Sequence, residues 1–337
     1  MIKVGLIGCG TMGRVHAEAY ANLPGARLLA VADLRRPQAQ EAAGFCGAEV
    51  MPDAEALIAR PELDAVDICV PTPFHKDLIV KAASAGKHVF TEKPLTRSLE
   101  EAAEVLAAVR KAGVKLMVGH VLRFSAPYLK AKEAVTGGRV GRPGVIRTTR
   151  GGGGFPTAWN NWYANVRWSG GIIFDMLIHD LDFLRWCFGE VERVYAKTTL
   201  NREIGRYEYA LIVLKFQSGA IAHVEGTWHD LGGFFYGYEI AGDGGLMTFD
   251  SRTSTPIRKV AFDQGSGRTQ GVAIPENPTR ENPYQAEIAH FVECLATGKE
   301  PRVTGEDGYK AVEIALAALR SAETGEPVTL VGGAERE

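Results

Sequence analysis

The chain opens on Ile2-Lys3-Val4-Gly5-Leu6-Ile7-Gly8-Cys9-Gly10-Thr11-Met12-Gly13, an apolar strand-like run followed by a turn with the spacing G-x-G-x-x-G. Glycines at these positions permit a tight turn, let a pyrophosphate approach the positive end of the next helix, and allow that helix to pack on the strand. The pattern alone is weak, but its place between a strand and a helix predicts a dinucleotide-binding turn. The predicted cofactor contacts here are Gly8, Gly10, Thr11, Met12 and Gly13.

An acidic residue ends the next predicted strand. Asp33 follows Gly13 at the spacing of about 20 residues at which a carboxylate accepts the ribose hydroxyls of NAD. The same carboxylate would repel a 2'-phosphate in a partly desolvated site, so the sequence predicts NAD. Arg35 and Arg36 leave NADP open, since a nearby arginine can hold that phosphate, although it can equally stack on the adenine or lie in solvent. Arg35 is counted among the predicted cofactor contacts.

The pattern of strands changes along the chain. The first third alternates short apolar strands with helices, some with caps such as Asp53 and Ser98, as in a doubly wound parallel sheet. From Glu192 onward, strand-like segments follow one another between glycines, which indicates an antiparallel sheet. The predicted strands are 4–7, 28–32, 65–70, 89–91, 116–118, 145–149, 194–200, 209–216, 220–228, 236–241 and 246–249, and two late helices are predicted at 284–296 and 308–322.

Length and composition narrow the class of protein. A chain of 337 residues is long for one core and predicts two domains, which we place at residues 1–122 and 123–337. The formal charge of −2 gives no electrostatic reason to expect nucleic acid or an anionic membrane as the partner, so a small molecule is predicted. The five cysteines are scattered and form no Cys-x-x-Cys motif, which predicts neither disulfides nor structural zinc. Together with the lack of an apolar leader or membrane-spanning run, this predicts a cytoplasmic protein.

Two turns leave the carboxyl ends of successive predicted strands, where doubly wound sheets bind their ligands. In the first turn, Thr72 and His75 could line the nicotinamide ribose, yet His75 could equally begin a helix without a ligand. In the second turn, Lys93 falls between a buried strand and Pro94, a position that an ordinary surface lysine does not require. Lys93 is therefore predicted to face the nucleotide site.

Polar side chains interrupt an apolar run over residues 170–182. Asp175 and His179, four residues apart, would lie one turn apart on one face of an α-helix. They are either a buried pair that satisfies itself or a catalytic pair, and the run alone does not decide between these. Asp180 and Asp182 would point away from that face, which leaves two ligands together, so no metal site is predicted and these two residues are expected to be structural.

Taken together, these features resemble the Gfo/Idh/MocA oxidoreductases, in particular the inositol dehydrogenase-like members. The resemblance runs from Met1 to about Leu330. It implies an α/β fold class: an N-terminal Rossmann domain with a doubly wound parallel sheet, then a C-terminal α/β domain with a mostly antiparallel open sheet. It also implies a homodimer or homotetramer with sheets packed face to face. The motifs that carry it are Gly8 to Gly13 with His16, Asp33, Glu92-Lys93-Pro94, Gly170-Gly171 with Asp175 and His179, Arg123 within 119–128, and Asn282-Pro283-Tyr284.

The resemblance assigns roles to individual residues. It implies Lys93, Asp175 and His179 as the catalytic group for oxidation of a secondary alcohol. In that chemistry hydride leaves the carbinol carbon for the nicotinamide while a base takes the hydroxyl proton. His179 is the expected base, Asp175 orients the substrate hydroxyls, and Lys93 stabilises the developing alkoxide, with Lys93 as the final proton acceptor left open. The resemblance also adds Glu92 to the predicted cofactor contacts.

A glycine-rich and aromatic segment, residues 151–163, is the candidate substrate loop. Aromatic faces pack on the C–H faces of sugar or cyclitol rings, and amides both donate to and accept from hydroxyls. The loop could equally pack on its own aromatic residues or against another subunit. By resemblance Arg123 contacts substrate or cofactor, which leaves acidic substrates open. The predicted substrate contacts are His120, Arg123, Trp159, Asn160, Trp162 and Tyr284.

The sequence thus predicts an NAD(P)-dependent dehydrogenase that acts on a secondary alcohol of a cyclitol or sugar-like polyol. One alternative is a glycosidase of the same family that oxidises and re-reduces its substrate with retained NAD. The other is a protein that binds NAD without catalysis, as a sensor or scaffold.

Overall fold

A computed structural model describes residues 1–152, 154, 158–201, 207–229, 232–253 and 282–330. The chain divides into two compact units. The first unit comprises Met1–Ser125 and Glu281–Val312, and the second comprises Ala126–Arg280 and Glu313–Glu337. The predicted domain limits, 1–122 and 123–337, did not anticipate this return of the chain to the first unit.

The first unit contains a six-stranded parallel sheet with helices between successive strands. The strands are β1 (Ile2–Ile7), β2 (Ala26–Ala32), β3 (Glu49–Val50), β4 (Ala65–Ile68), β5 (His88–Glu92) and β6 (Leu116–Gly119). The helices are α1 (Thr11–Ala21), α2 (Arg36–Gly44), α3 (Ala54–Ile58), α4 (His75–Ser84) and α5 (Leu99–Ala112). All pairs are parallel in the order β3-β2-β1-β4-β5-β6, so the order reverses beside β1. The carboxyl ends of β1 and β4 at this reversal are where such sheets bind ligands.

The second unit contains a seven-stranded mixed sheet. Its strands are β7 (Pro143–Gly151), β8 (Val191–Asn201), β9 (Tyr207–Phe216), β10 (Ile221–Thr227), β11 (Phe235–Gly242), β12 (Gly245–Asp250) and β13 (Val328–Thr329), and its helices include α6 (Ala126–Thr136), α7 (Val166–Ser169) and α8 (Ile178–Phe188). The order is β12-β11-β7-β10-β9-β8-β13, and only the pair β7 and β10 is parallel among these described strands. Along β10, buried and exposed residues alternate, as expected for a sheet with one face on a core.

Two further helices follow. Helix α9 (Pro283–Thr297) belongs to the first unit and packs against α1, and helix α10 (Gly305–Thr324) follows it. Asn282 caps α9 by accepting the N–H of Tyr284 at 3.0 Å. Within the described ranges, no helix combines the length and the apolar character needed to cross a lipid bilayer.

The predicted fold class is confirmed, and all eleven predicted strands are present with small shifts of their ends. Strands β3 and β13 were missed because each has only two residues. The predicted caps are also confirmed: Asp53 accepts the N–H of Ala56 at 2.7 Å, and Ser98 accepts the N–H of Glu101 at 3.2 Å.

Candidate active site

The turn after β1 has backbone contacts that only glycine allows. Gly8 has a φ of +91°, and a Cβ there would lie 2.5 Å from the carbonyl oxygen of Cys69. A Cβ on Gly13 would overlap the carbonyl oxygen of Gly8, so α1 starts directly against the turn. The turn therefore has the shape that its sequence predicted.

The N-terminus of α1 is open to an anion. Gly10 is its N-cap and supplies no side-chain cap, and the first turn, which begins with Thr11 and Met12, contains no acidic residue. The first N–H groups of a helix lack partners within the helix and carry its partial positive charge. The turn, the open helix end and the neighbouring acid fit the pyrophosphate and ribose of a dinucleotide.

Asp33 lies beside this turn and fixes it. Its Oδ2 accepts the N–H of Cys9 at 2.8 Å, and its Oδ1 accepts the N–H of Arg35 at 2.7 Å and lies 3.3 Å from Arg35 Nε. Each carboxylate oxygen can accept more than one hydrogen bond, so Asp33 can bind a ribose hydroxyl while it holds the turn. Burial and the Asp33 carboxylate raise the pKa of Cys9 to about 12, which keeps that thiol neutral.

His75 links the turns that follow β4 and β5. The side chain is fully buried, with Nδ1 at 2.8 Å from the Pro94 carbonyl oxygen and Nε2 at 2.9 Å from that of Val70. Burial lowers the pKa of His75, although the two carbonyls raise it. Because both ring nitrogens contact backbone carbonyls, His75 joins the two turns, and its contact with the cofactor stays a prediction. Thr72 is also buried, at the start of the short 3₁₀ turn Thr72–Phe74.

Lys93 follows β5 directly and is half-buried. The peptide bond to Pro94 is cis, and the Lys93 N–H donates to Glu92 Oε2 at 3.1 Å. Glu92 was predicted to contact the cofactor, but its side chain is 9 % exposed and its Oε1 lies 3.2 Å from His16 Nε2. Glu92 therefore points into the first unit, where it supports the backbone of Lys93.

The segment with Asp175 begins differently from the prediction. Gly170 and Gly171 have φ values of +78° and +66°, and Ile173–Leu177 then forms one π-helical turn that leads into α8. The expectation of a regular α-helix through Asp175 is therefore wrong. A π turn closes hydrogen bonds five residues apart instead of four, and such turns are frequent at functional sites.

Asp175 and His179 are nevertheless both partly exposed. Every residue from 169 to 184 is buried except these two, which are half-buried. This exposure disfavours the alternative of a fully buried pair that satisfies itself. Within the second unit, the segment presents a carboxylate and an imidazole from one otherwise buried run.

Glu208, on β9, supports this segment and was missed by the sequence analysis. Its Oε2 accepts the N–H of Ile172 at 2.7 Å, just before the π turn. Burial raises the pKa of Glu208; the Ile172 N–H lowers it, and the nearby Asp175 raises it again. Its burial could have been recognised from the sequence, because side chains alternate along a strand and Glu208 shares the face of the buried residues Ala210 and Ile212.

Asp180 is structural, as predicted. Its carboxylate is fully buried and pairs with Arg150, whose Nε lies 2.6 Å from Asp180 Oδ2. The guanidinium of Arg150 also lies over the ring of Tyr236, 5.4 Å from its centroid. Asp182 is buried as well. These contacts anchor α8 to β7.

Arg123 and His120, predicted substrate contacts, are both buried in the first unit. Arg123 Nη2 lies 3.0 Å from Asp307 Oδ1, and its Nη1 donates to the carbonyl oxygen of Arg302 at 3.1 Å. Burial raises the pKa of Asp307, but the Arg123 charge and hydrogen bonds lower it to a net value below the usual range. The guanidinium thus joins the end of β6 to the start of α10, a structural role that the prediction did not include.

The aromatic segment is described from residue 158 onward, whereas Gly153 and residues 155–157 lie outside the described residues. Asn160 has a φ of +53°, and Trp162 stacks on Tyr163 with ring centroids 4.0 Å apart. Trp159 lies 6.3 Å from Trp168, measured between ring centroids. These contacts agree with a loop that packs partly on its own aromatic residues, while Asn160 is exposed. Tyr284, in the first turn of α9, is half-buried.

Donor atoms that could share a metal ion occur, among the described residues, in two overlapping groups around His16. One group is His16, Asp67 and Cys69, and the other is His16, Glu92 and Glu287. Neither group contains Asp175 or His179.

Comparisons with known proteins cover both units. The profile of an oxidoreductase family, described as an NAD-binding Rossmann fold, matches residues 2–120, and that of the C-terminal α/β domain of the same family matches residues 132–330.

Relatives match over nearly their full lengths. The chain is 33 % identical to myo-inositol 2-dehydrogenase of Thermotoga maritima, over 98 % of both chains. It is 33 % identical to the NAD(+)-dependent scyllo-inositol 2-dehydrogenase of Bacillus subtilis, over 98 % of this chain and 96 % of that one. The crystal structure of scyllo-inositol dehydrogenase from Lactobacillus casei with NAD(H) and scyllo-inositol has a TM-score of 0.80 and 25 % identity, and covers 98 % of this chain and 99 % of that chain.

Proposed function

The chain belongs to the Gfo/Idh/MocA family of oxidoreductases, and from this membership and its two candidate sites we propose the reaction that it catalyses. It is an NAD-dependent dehydrogenase that transfers hydride between the nicotinamide and a secondary alcohol of a cyclitol or sugar-like polyol. The observation that carries the substrate class is the similarity to inositol dehydrogenases along the whole chain. Neither alternative, the glycosidase or the non-catalytic NAD-binding protein, receives support from these relatives.

The residues of the first unit bind the cofactor in this proposal. The N–H groups at the start of α1 receive the pyrophosphate, and Asp33 accepts the ribose hydroxyls. Bound NAD supplies the hydride acceptor. Lys93 stabilises negative charge on the substrate oxygen as the hydroxyl proton leaves.

The residues of the second unit bind and deprotonate the substrate. We assign the base to His179 and the orientation of the hydroxyls to Asp175, on the support of their shared exposure in an otherwise buried run. Glu208 holds the backbone at Ile172 and so fixes the start of the π turn. Asn160 and Trp159 are the proposed ring contacts of the substrate loop.

Steady-state assays test the function. With NAD and a panel of inositols and aldoses, the purified chain should form NADH, and with keto sugars it should oxidise NADH. Binding of NAD without turnover in either direction would contradict the proposed substrate class.

The Asp33→Asn variant tests the cofactor assignment. Asparagine keeps the size of the side chain but removes the charge that accepts the ribose hydroxyls. A hydrogen bond to a charged group contributes about 1.5–3 kcal/mol, so KM for NAD should rise about 10- to 100-fold. Glu41→Gln, at an exposed surface pair with Arg14, is the control. An unchanged KM for NAD in Asp33→Asn would refute the role of Asp33.

We propose that the chain forms a homodimer or homotetramer through the outer face of the second sheet. Val213 is half-buried there, whereas Phe216 lies in the core. Exposed apolar side chains that share one face of a sheet favour an interface. Light scattering should give at least twice the mass of one chain, and a clean monomer would contradict this proposal. The exposed apolar residues of these strands are Val145, Tyr195, Leu211, Ile221 and Leu246.

We propose a cytoplasmic location, which rests on the cysteines. All five are free thiols, as expected where the environment is reducing. Cell fractionation should recover the protein with cytoplasmic markers, and its recovery in an exported fraction would contradict this.

A further inference from the structure

Four buried polar side chains meet behind Lys93 in the first unit. His16 lies on α1, Asp67 on β4, Glu92 at the end of β5 and Glu287 on α9. His16, Asp67 and Glu287 are fully buried, and Glu92 is nearly so. We call these four residues the His16 cluster. The mechanism proposed above uses none of them directly.

The contacts run from α1 to the backbone of Lys93. His16 Nδ1 lies 2.9 and 3.1 Å from the two carboxylate oxygens of Asp67. On the other side of the ring, Nε2 lies 3.2 Å from Glu92 Oε1, a charge contact without the geometry of a hydrogen bond. The other oxygen of Glu92 accepts the N–H of Lys93 at 3.1 Å. One imidazole thus contacts two carboxylates, and one of these holds the peptide that precedes the proposed catalytic side chain.

Neighbouring groups complete the surroundings of the ring. Tyr20 OH donates to Asp67 Oδ2 at 2.9 Å, and Cys69 Sγ lies 3.2 Å from His16 Nδ1. The ring of Phe90 packs nearly perpendicular to the imidazole, with ring centroids 5.3 Å apart. Glu287 enters from α9, and neither of its buried oxygens has a hydrogen-bond partner. Its carboxyl oxygen lies within 4.8 Å of donor atoms of both His16 and Glu92.

The charges of the cluster follow from these contacts. Burial lowers the pKa of His16, but Asp67 and Cys69 raise it to a net value well above 6.5. Burial raises the pKa of Glu92, yet His16 and Lys93 lower it below the usual value. Burial and the charge of Glu92 raise the pKa of Glu287 well above 4.5, although His16 opposes this. These shifts favour a charged His16 between the carboxyl groups and a Glu287 that holds its proton to higher pH than Glu92.

We propose that His16 is a positioning residue for Lys93: as an imidazolium held between Asp67 and Glu92, it fixes the carboxylate that holds the Lys93 backbone, while Glu287 closes the cluster in its neutral form. This inference rests on the proposed role of Lys93. Since α1 begins at the dinucleotide-binding turn, the same helix that receives the pyrophosphate also sets the position of Lys93.

The neutral state of Glu287 matters for the geometry. A second ionised carboxylate beside Glu92 would compete for the one imidazolium and repel Glu92 in a medium that screens charge poorly. The attraction between His16 and Glu92 would then weaken, and the backbone N–H of Lys93 would lose its fixed hydrogen-bond acceptor. We therefore expect the cluster to loosen as the pH rises through the folded-state pKa of Glu287.

The His16→Gln variant tests the positioning role. Glutamine can hydrogen bond but carries no charge, so kcat should fall about 10- to 100-fold, as for a small displacement of a catalytic group, while KM for NAD changes little. In the double variant with Lys93→Met, the loss from His16→Gln should disappear, because His16 acts through Lys93. His88→Gln, at a half-buried histidine elsewhere on β5, is the matched control.

Two kinetic outcomes would overturn the proposal. One is a kcat for His16→Gln equal to that of the parent enzyme. The other is a double variant whose loss of kcat equals the product of the two single losses. That result would indicate a general structural effect of His16→Gln. A lowered melting temperature alone does not explain a kcat defect that vanishes in the double variant.

Measurements on the protein without turnover separate this inference from the proposed function. Histidine NMR should find one imidazole protonated on both nitrogens well above pH 6.5 in the parent chain, and this signal should be absent in His16→Gln. The signal is expected even if no polyol is oxidised. A His16 ring that is neutral at pH 7 would overturn the proposal.

The pH dependence of stability tests the neutral Glu287. A carboxyl group with a raised folded-state pKa stabilises the fold fully below its unfolded-state value, and this contribution is lost as the pH rises through the folded-state value. Glu287→Gln should therefore show a shallower fall of stability with pH above about 4.5 than the parent chain. Glu293→Gln, at an exposed position of α9, is the control and should follow the parent.

Identical pH profiles of stability for the parent chain and Glu287→Gln would refute the claim that Glu287 is neutral.

Metal analysis gives a further test, since His16, Glu92 and Glu287 could also serve as metal ligands. One equivalent of a divalent metal in the purified chain, with stability lost on chelation, would mean that Glu287 is ionised and would overturn the proposal.

Discussion

Replacing Lys93 by methionine should lower kcat for polyol oxidation about 10²- to 10³-fold, the cost of removing one group that stabilises a developing oxyanion. Methionine is close to lysine in length but can neither carry the charge nor donate a hydrogen bond. The backbone of Lys93 is held by Glu92 independently of the side chain. We therefore expect folding and NAD binding to be retained in Lys93→Met.

Lys76→Met is the matched control, because Lys76 lies on α4 at the surface, where it pairs with Asp77 and Glu104. Its kcat should equal that of the parent enzyme. NAD binding is measured by titration and activity by the formation of NADH. Full turnover in Lys93→Met, with Lys76→Met also active, would remove Lys93 from the mechanism.

The second large effect is expected at the pair in the second unit. Loss of the base in His179→Gln should lower kcat about 10²- to 10⁴-fold, the usual contribution of general acid–base catalysis. Asp175→Asn should lower kcat as well, since it removes the charge that orients the hydroxyls. If the two residues act as a unit, the double variant should be scarcely worse than His179→Gln alone.

A double-mutant cycle measures this coupling. Glu190→Gln, at an exposed residue just beyond α8 that pairs with Arg185, is the control and should retain full activity. Losses at Asp175 and His179 that multiply in full would show that they act independently. If His179→Gln is active, His179 is not the base. Lys93 would then be the proton acceptor, the alternative that the sequence left open.

Much of the fold could be predicted from the sequence, because its signals are local. The glycine spacing from Gly8 to Gly13, the apolar strands of the first sheet and the caps at Asp53 and Ser98 are recognisable from neighbouring residues. The two-residue strands β3 and β13 could not be predicted, since they exist only through pairing with β2 and β8. The grouping of α9 with the first unit is likewise a contact between distant parts of the chain.

The candidate site was predicted less completely, for two physical reasons. The π turn at Asp175 is preceded by two left-handed glycines and by the hydrogen bond from Ile172 to Glu208, and residue spacing reveals none of these. Arg123 pairs with Asp307, and Glu92 contacts His16. Both partners lie far away in the sequence. The spacing of a motif shows that a charged residue is present but not which distant part of the protein it contacts.

The central claim is hydride transfer from a polyol carbon by this chain. It is tested most directly with inositols and aldoses that carry deuterium at the carbinol carbon, by mass spectrometry of the reduced cofactor. We predict deuterated NADH from at least one cyclitol with the parent chain, and a greatly reduced amount with Lys93→Met or His179→Gln. A chain that binds NAD yet yields no deuterated NADH from any member of the panel would contradict the claim.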